Sequence, residues 1–168
     1  SYSVTGVQTC ALPIYGERAI FDAQAAIEAV SASGANLRYV FEQTEAVCEI
    51  AVKQRWQELA LVHNQTEHLC EIAVKQNWQA LELVSDQTEQ LCEIAVKQHG
   101  AALKLVRAQT EHLCEIAVKQ NWWALELVSD QTEHLCEIAI KQDWQALALV
   151  HNQTPKLLAL ALACKALD

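Results

Sequence analysis

The feature that most constrains this chain is a tandem repeat. A unit of 22 residues is written five times over residues 43–152. Residues 65–86, QTEHLCEIAVKQNWQALELVSD, differ from residues 109–130 at one position, where Trp123 replaces Gln79. The threonine near the start of each unit recurs without insertion at Thr44, Thr66, Thr88, Thr110, Thr132 and Thr154. A fixed period of about 20 to 50 residues is typical of proteins built from stacked units.

Periodicity alone permits two helical structures. Because 22 is twice 11, an unbroken helix would carry a nearly straight apolar stripe, as in right-handed coiled coils and in helices that lie on lipid surfaces. A chain that reverses within each unit would form stacked hairpins instead. Gly34 and Gly100 share one phase of the repeat, and we interpret them as left-handed residues that end a helix. Pro155 follows Thr154, and proline is tolerated at the first helical position but disrupts an interior.

These breakers favour a helical hairpin in each unit. In the copy at residues 65–86, we expect helix A over residues 66–76, a turn near Asn77 and Trp78, and helix B over residues 79–84. The repeated threonines are predicted N-caps, each followed by a glutamate in the first turn. Helices this short need their neighbours to cover their apolar faces. The predicted fold class is all-α, an α-solenoid of short two-helix (helix-turn-helix) 22-residue repeats.

The chain divides into four predicted segments. They are a non-native or disordered N-terminal segment (1–16), a degenerate first repeat (17–42), five tandem 22-residue helical repeats (43–152) and a truncated apolar C-terminal helix (153–168). Residues 3–14, SVTGVQTCALPI, resemble translated sequencing-adapter sequence of the kind found at the ends of metagenomic gene models. The chain contains no methionine, so we expect a fragment, and Cys10 is expected to carry no function.

The repeated pattern C-x-x-A-V-K-Q-N-x-x-A-L-x-x-V, preceded by N-Q-T-E, resembles a family of short tandem helical repeats called domain of unknown function four-one-one-six. Its members read AVKQNG-x-AL-x-YV. The best matches are IAVKQNWQALELV (72–84), IAVKQHGAALKLV (94–106) and AVSASGANLRYV (29–40). The chain departs from the family where tryptophan replaces glycine in four units, and we expect a weaker helix break there. The resemblance implies stacked helical repeats and implies no activity or site.

Cysteine usage and charge restrict the compartment and the partners. Five of the seven cysteines share one repeat position. Stacked helices lie about 8–10 Å apart, whereas a disulfide needs Cα atoms within about 7 Å, so we interpret these cysteines as small buried hydrophobes. A reducing, cytoplasmic compartment fits free thiols best. The net charge of -9, with the 12 lysines and arginines dispersed, disfavours nucleic acid, and no apolar run is long enough to span a membrane.

The polar residues give no pattern typical of catalysis. His68 and Cys70 are two residues apart, as in two other copies, and residues at that spacing do not face each other on a helix. Glu71 and Lys75 stand at i and i+4, as in every copy, and predict a solvated face. We interpret the histidines as surface or inter-repeat hydrogen-bonding groups. The chain is therefore predicted not to be an enzyme and to need no cofactor or metal.

Tryptophan forms the candidate contact surface. The candidate residues are Trp56, Trp78, Trp122, Trp123 and Trp144. A tryptophan beside a turn either contacts a partner or covers the gap between hairpins. The predicted function is a non-catalytic repeat scaffold that mediates protein–protein interaction with an unknown protein partner. The alternative is an amphipathic helical coat protein on a lipid or granule surface, although membrane binding is not favoured by the charge.

Overall fold

The computed structural model of the chain describes residues 9–11 and 18–166. Over this part of the chain, seven α-helices alternate with six 3₁₀ helices, which confirms the predicted all-α repeat fold. The chain divides into two compact units, Ser1–Ser85 and Asp86–Asp168. Within each unit, successive copies of one motif, an α-helix followed by a 3₁₀ helix, stack as an α-solenoid.

The α-helices keep almost the same length throughout. They are α1 (Ala23–Ala32), α2 (Glu45–Gln54) and α3 (Glu67–Gln76) in the first unit, and α4 (Glu89–Gln98), α5 (Glu111–Gln120), α6 (Glu133–Gln142) and α7 (Pro155–Lys165) in the second. The 3₁₀ helices are η1 (Gly34–Tyr39), η2 (Trp56–Leu61), η3 (Trp78–Leu83), η4 (Gly100–Leu105), η5 (Trp122–Leu127) and η6 (Trp144–Leu149).

The predicted N-caps are confirmed. In α3, the hydroxyl oxygen of Thr66 accepts the N–H of Leu69 at 3.4 Å, and the same hydroxyl donates to Glu45 of the preceding repeat at 2.9 Å. Equivalent caps begin every later α-helix, at Thr88, Thr110, Thr132 and Thr154. Thr44 occupies the cap position without the side-chain bond, and Asp22 caps α1 at the same phase. Thr66, Thr110 and Thr132 thus each cap a helix and also contact the repeat before it.

The helix break differs from the prediction. Gly34 and Gly100 are not left-handed; each is the first residue of a 3₁₀ helix. The reversal occurs one residue earlier, in a single extended residue such as Ser33 (φ -158°, ψ 123°). Any L-residue adopts that backbone, and Asn77 has nearly the same values (φ -157°, ψ 125°) in a copy with tryptophan. The expectation of a weaker break in the tryptophan copies is therefore wrong.

Glycine is favoured at these positions by close approach rather than by backbone conformation. A Cβ atom on Gly34 would lie 3.1 Å from the carbonyl oxygen of Ala51 and 3.1 Å from Cγ of Glu58. Glu58 is itself buried and pairs with Arg55 at 3.2 Å. The later copies carry alanine at the position of Glu58. A side chain at position 34 would therefore compete for the space that Glu58 occupies.

Predicted helix B is a 3₁₀ helix in every described copy. A 3₁₀ helix has three residues per turn, so residues at i, i+3 and i+6 lie on one side. In η3 this row runs through Trp78 and Leu81 to the capping Val84, and both aliphatic side chains are fully buried. The side chain of Asn77 accepts the N–H of Gln79 at 2.9 Å and so closes the first turn. The apolar row thus has a period of three, which a 3₁₀ helix satisfies and an α-helix does not.

Each of the helices α2 to α6 buries two adjacent apolar stripes. In α3, one stripe contains Leu69 and Ala73, and the other contains Cys70 and Val74. All four side chains are at most 3% exposed. The five cysteines of the repeat are buried in this way as thiols, which confirms their interpretation as small buried hydrophobes.

A half-buried glutamine joins successive 3₁₀ helices. Nε2 of Gln65 donates to the carbonyl of Leu59, in the preceding copy, at 3.2 Å and to that of Leu83, in its own copy, at 3.0 Å. Oε1 of Gln65 accepts the N–H of Ser85 at 2.9 Å. The same amide contacts recur at Gln43, Gln109 and Gln131. One side chain therefore satisfies backbone groups at the ends of two short helices.

A second glutamine closes the end of the preceding α-helix. The last four carbonyls of an α-helix have no partner within the helix. Gln54, the last residue of α2, donates to the carbonyls of Val30 and Ser31 in α1 at 2.9 and 3.0 Å. Gln76, Gln120 and Gln142 make the equivalent contact at 2.6 to 3.0 Å.

A small β-structure precedes the first repeat. Strands β1 (Thr9–Ala11) and β2 (Arg18–Ile20) pair antiparallel, and Ile20 bridges to Val40 at the end of η1. The carbonyl of Ile20 accepts the N–H of Phe41 at 2.9 Å. In later copies the side chain of the repeat glutamine accepts the equivalent N–H, such as that of Ser85. The disorder predicted over residues 1–16 falls mainly on residues 1–8 and 12–16, which lie outside the described residues; residues 9–11 form a strand.

Replacing Gln65 by alanine should destabilise the first unit. The substitution removes three hydrogen bonds, those to the carbonyls of Leu59 and Leu83 and the one from the N–H of Ser85. The Leu59 carbonyl keeps a second donor, the N–H of Val62. Each lost bond costs about 0.5–1.5 kcal/mol. We expect the free energy of unfolding, measured by urea denaturation followed by circular dichroism, to fall by about 2–4 kcal/mol.

Gln79→Ala is the matched control, because Gln79 lies in the same copy and its side chain is exposed. This control should change the free energy by less than about 0.5 kcal/mol. Equal losses in the two variants would contradict the structural role of Gln65.

Candidate partner-binding site

The predicted tryptophans lie just after the chain reversals. Trp56, Trp78, Trp122 and Trp144 each begin a 3₁₀ helix, because the extended residue before them redirects the chain. All four side chains are half-buried. Trp123 is different, since 54% of its surface is exposed. The tryptophans at the repeat position are thus partly buried, whereas the indole of Trp123 is exposed.

The second unit brings three of the tryptophans together. The rings of Trp122 and Trp123 stack with a centroid separation of 4.5 Å and an interplanar angle of 24°. Together with Trp144 of the next copy they line a concave pocket of about 500 Å³. The remaining lining residues are Gln145, Leu147, Ala148, Leu149 and Gln153. We call the three indoles Trp122, Trp123 and Trp144 the tryptophan edge. Trp56 and Trp78 belong to the first unit and do not line this pocket.

Two charged groups lie next to the tryptophan edge. Nζ of Lys165, at the end of α7, lies 4.5 Å from the centroid of a Trp144 ring, a distance typical of a cation–π contact. Trp123 also lines a smaller hollow of about 190 Å³, together with Glu126, His99 and Asn121 among others. Trp144 therefore contacts an ammonium group, and Trp123 also lines a hollow that contains a carboxylate.

The predicted solvated Glu–Lys face is confirmed and also joins repeats. Nζ of Lys53 lies 2.6 Å from Glu49, and Nε2 of His68, in the next copy, lies 3.8 Å from the same carboxylate. Glu93 and Glu115 each have the equivalent lysine and histidine partners in their own and the next copy. Lys53 holds the pKa of Glu49 below its ordinary value, with a smaller contribution from His68. His68, His112 and His134 thus make the inter-repeat contacts predicted for them.

The end of the second unit replaces histidine with lysine. Lys156 occupies the phase of His134, and its Nζ lies 2.7 Å from Glu133 and 2.5 Å from Glu137 of the preceding copy. These two carboxylates raise the pKa of Lys156. The ammonium is therefore held in its charged form, and α7 is fixed to α6 by charge as well as by apolar contact.

The buried cysteines are poorly placed for nucleophilic chemistry. Burial raises the pKa of the thiols of Cys48, Cys92, Cys114 and Cys136, and a raised pKa reduces the thiolate that reacts. Sγ of Cys48 lies 3.8 Å from Oε1 of Gln43, and four other copies repeat this contact at 3.8 to 4.0 Å. The thiol is thus a weak donor to the structural glutamine.

Two further observations concern the described residues. Within residues 9–11 and 18–166, no three His, Cys, Asp or Glu side chains are grouped so that they could hold a metal ion. None of the helices in the same part of the chain has the length and apolar content needed to cross a bilayer. Neither observation identifies a function.

The chain matches no protein-family model, no curated protein and no solved structure. The resemblance to the AVKQNG-type repeat family therefore stands on the repeated residues alone.

Acid should weaken the structure through the inter-repeat glutamates. Lys97 holds the pKa of Glu93 below its ordinary value of 4.5. The stability that this carboxylate contributes is present above pH 4.5 and is lost as the pH falls through its lower, folded-state pKa. In thermal unfolding from about pH 6 to about pH 3, we expect the midpoint of Glu93→Gln to fall less than that of the wild type.

Glu126→Gln is the matched control, because Glu126 is an exposed glutamate in the same unit with no ion pair to the described residues. This variant should keep the wild-type pH dependence. A pH dependence in Glu93→Gln as steep as in the wild type would contradict the role given to Glu93.

Proposed function

We propose that the chain is a non-catalytic repeat scaffold that binds a protein partner through the tryptophan edge. The observation that carries this proposal is the pocket of about 500 Å³ formed where the stacked pair Trp122–Trp123 meets Trp144. Tryptophans are enriched among the residues that contribute most to protein–protein binding, since one indole buries a large area with little loss of side-chain freedom. A concave apolar pocket with an exposed indole at its rim suits such a contact.

The charges favour a partner that presents lysine or arginine. Lys165 already places an ammonium group against Trp144, so a ring of the edge accepts a cation. The net charge of -9 attracts a basic segment and repels an acidic one. A partner cation would occupy the ring face that Lys165 covers, while apolar side chains of the partner fill the pocket. Such charges also disfavour nucleic acid as the partner.

The proposal that the chain is not catalytic rests on the structural roles of its cysteine, glutamate and histidine side chains. The thiols described above are buried with a raised pKa, and the glutamates and histidines pair with one another between repeats. The cysteines, which are thiols in the structure, also support a reducing, cytoplasmic compartment, as proposed from the sequence. We further propose that the repeats belong with the AVKQNG-type helical family, on the pattern at residues 72–84 and 94–106.

The alternative function, a coat on a lipid or granule surface, is less well supported. It requires the apolar stripes of the helices to open onto the lipid. In the structure those stripes face other repeats; Leu113 and Val118, for example, are at most 1% exposed. No feature of the described surface favours this alternative over the tryptophan edge.

Binding tests should use the near-identity of two repeats. Trp123→Gln converts residues 109–130 into the sequence of residues 65–86 and removes one stacked, exposed indole. We expect the affinity for a partner isolated with the wild-type chain and then purified to fall at least tenfold, a loss of about 1.4 kcal/mol, in isothermal titration calorimetry.

The matched control is the double variant Trp123→Gln with Gln79→Trp, which has the same composition as the wild type. It should bind as weakly as the single variant, because the added indole is not beside Trp144. Unchanged affinity in Trp123→Gln, or recovery in the double variant, would contradict a site at the tryptophan edge. Helix-dependent binding to lipid vesicles, unaffected by Trp123→Gln, would favour the coat instead.

A further inference from the structure

The smaller hollow beside Trp123 lies inside the second unit, between η4 and η5. Gly100 and Ala101 of η4 line it on one side, and Trp123 and Glu126 of η5 line it on the other. We call this space the η4–η5 hollow. Its volume is about 190 Å³, whereas pockets for small-molecule ligands measure about 300–1,000 Å³. The hollow therefore has the size for one side chain of a partner.

Two substitutions in one interior copy open the hollow. Gly100 and Ala101 stand where the copy at residues 65–86 carries Trp78 and Gln79. The wall formed by η4 therefore lacks an indole and a long amide side chain that the repeat carries elsewhere. The hollow is a property of this copy and is not a general gap between repeats.

The wall formed by η5 carries an indole and a carboxylate on the same side. Residues at i and i+3 of a 3₁₀ helix lie one above the other, and Trp123 and Glu126 have this spacing. Both side chains are exposed. Glu82 lies at the same phase in η3, but the residue three positions before it is Gln79. Among the six described 3₁₀ helices, η5 alone combines an aromatic residue and a carboxylate at these two phases.

The carboxylate in the hollow has no partner of opposite charge. Glu93 and Glu115 each pair with a lysine and a histidine, whereas Glu126 makes no ion pair or side-chain hydrogen bond over residues 9–11 and 18–166. None of the lining residues, all of which belong to the described part of the chain, is a lysine or an arginine. The hollow thus presents an uncompensated negative charge beside an indole, on a chain whose net charge is -9.

The polar side chains of the hollow are already held in place. Nδ1 of His99 accepts the N–H of Ala101 at 3.1 Å, and Oδ1 of Asn121 accepts the N–H of Trp123 at 3.0 Å. The Trp123 ring is also fixed by its stacking on Trp122. Side chains that are ordered before binding lose less conformational freedom when a ligand arrives. The hollow is therefore preorganised on both walls.

We propose that the η4–η5 hollow binds an arginine side chain of the protein partner. A guanidinium stacks on aromatic rings, donates two parallel N–H bonds to a carboxylate and is less strongly hydrated than an ammonium. Trp123 supplies the ring and Glu126 the carboxylate, while Ala101 and Ala124 contact the aliphatic part of the arginine. The inference rests on the proposed function, because Trp123 also belongs to the tryptophan edge, and this contact is additional to the cation proposed at Trp144.

A titration with a single arginine tests the hollow without the partner. N-acetyl-L-argininamide is added to the full chain, and the indole N–H signals are followed by ¹H–¹⁵N correlation spectra, in which Trp123→Gln identifies the Trp123 signal. We expect that signal to shift saturably with a dissociation constant of about 1–10 mM. N-acetyl-L-lysinamide should bind at least about threefold more weakly, because an ammonium is more strongly hydrated and cannot form the two parallel bonds.

Two variants change the hollow itself. Glu126→Gln removes the carboxylate at an exposed position and should weaken argininamide binding at least about threefold. The double variant Gly100→Trp with Ala101→Gln fills the hollow with the residues found at Trp78 and Gln79, which the repeat accommodates. This filled variant should lose the saturable shift of Trp123. Circular dichroism checks that both variants keep the wild-type helix content.

Glu82→Gln is the matched control. It makes the same charge change at the same phase of an exposed position in η3, where no tryptophan lies three residues earlier. It should bind argininamide like the wild type. Four results would overturn the proposal: no saturable shift of Trp123, equal affinity for lysinamide, equal weakening by Glu82→Gln and Glu126→Gln, or unchanged binding in the filled variant.

The purified partner separates this inference from the proposed function. If Trp123→Gln weakens partner binding but Glu126→Gln and the filled variant do not, the tryptophan edge stands and the arginine contact is overturned. If argininamide binds as expected but the affinity of the partner does not depend on Trp123, the hollow stands as an arginine site and the proposed function is overturned.

Discussion

The amide of the glutamine before each capping threonine is the interaction on which the repeat structure depends. A six-residue 3₁₀ helix has few internal hydrogen bonds and leaves polar backbone groups open at its end. Gln65 supplies two donors and one acceptor to such groups in two successive copies. Because its partners belong to different copies, the same bonds that complete each helix also set the spacing between helices. The second glutamine, at the end of each α-helix, does the same for the preceding α-helix.

The local parts of this fold could be predicted from the sequence, since their signals lie within a few residues. The threonine caps and the Glu71–Lys75 type of pair depend on spacings of three and four residues, and both are present. The prediction that Gly34 and Gly100 adopt a left-handed conformation was wrong, because one extended residue before each of them is enough to reverse the chain. The glutamine contacts were missed, since two of the three partners of each glutamine lie 18 to 20 residues away. The available signal was the recurrence of glutamine at one phase of the repeat.

The candidate site was predictable in its residue type and not in its geometry. The repeat placed tryptophan at one phase, but a pocket forms where Trp123 is added to Trp122 and the next copy contributes Trp144. Lys165 comes from α7, outside the tandem copies, and no spacing rule connects it to Trp144. The residue types of the contact surface therefore follow from the sequence of one repeat. The concave shape and the charge of that surface depend on which repeats lie next to each other.

The side-chain hydrogen bonds that join successive helices within each unit span 6 to 24 residues of sequence. Such short spans mean that bringing the partners together requires little ordering of the intervening chain. Folding can therefore begin at any copy and extend to its neighbours. The reverse process begins where a helix has one neighbour instead of two, so backbone amides in the terminal copies should exchange with solvent before those in interior copies.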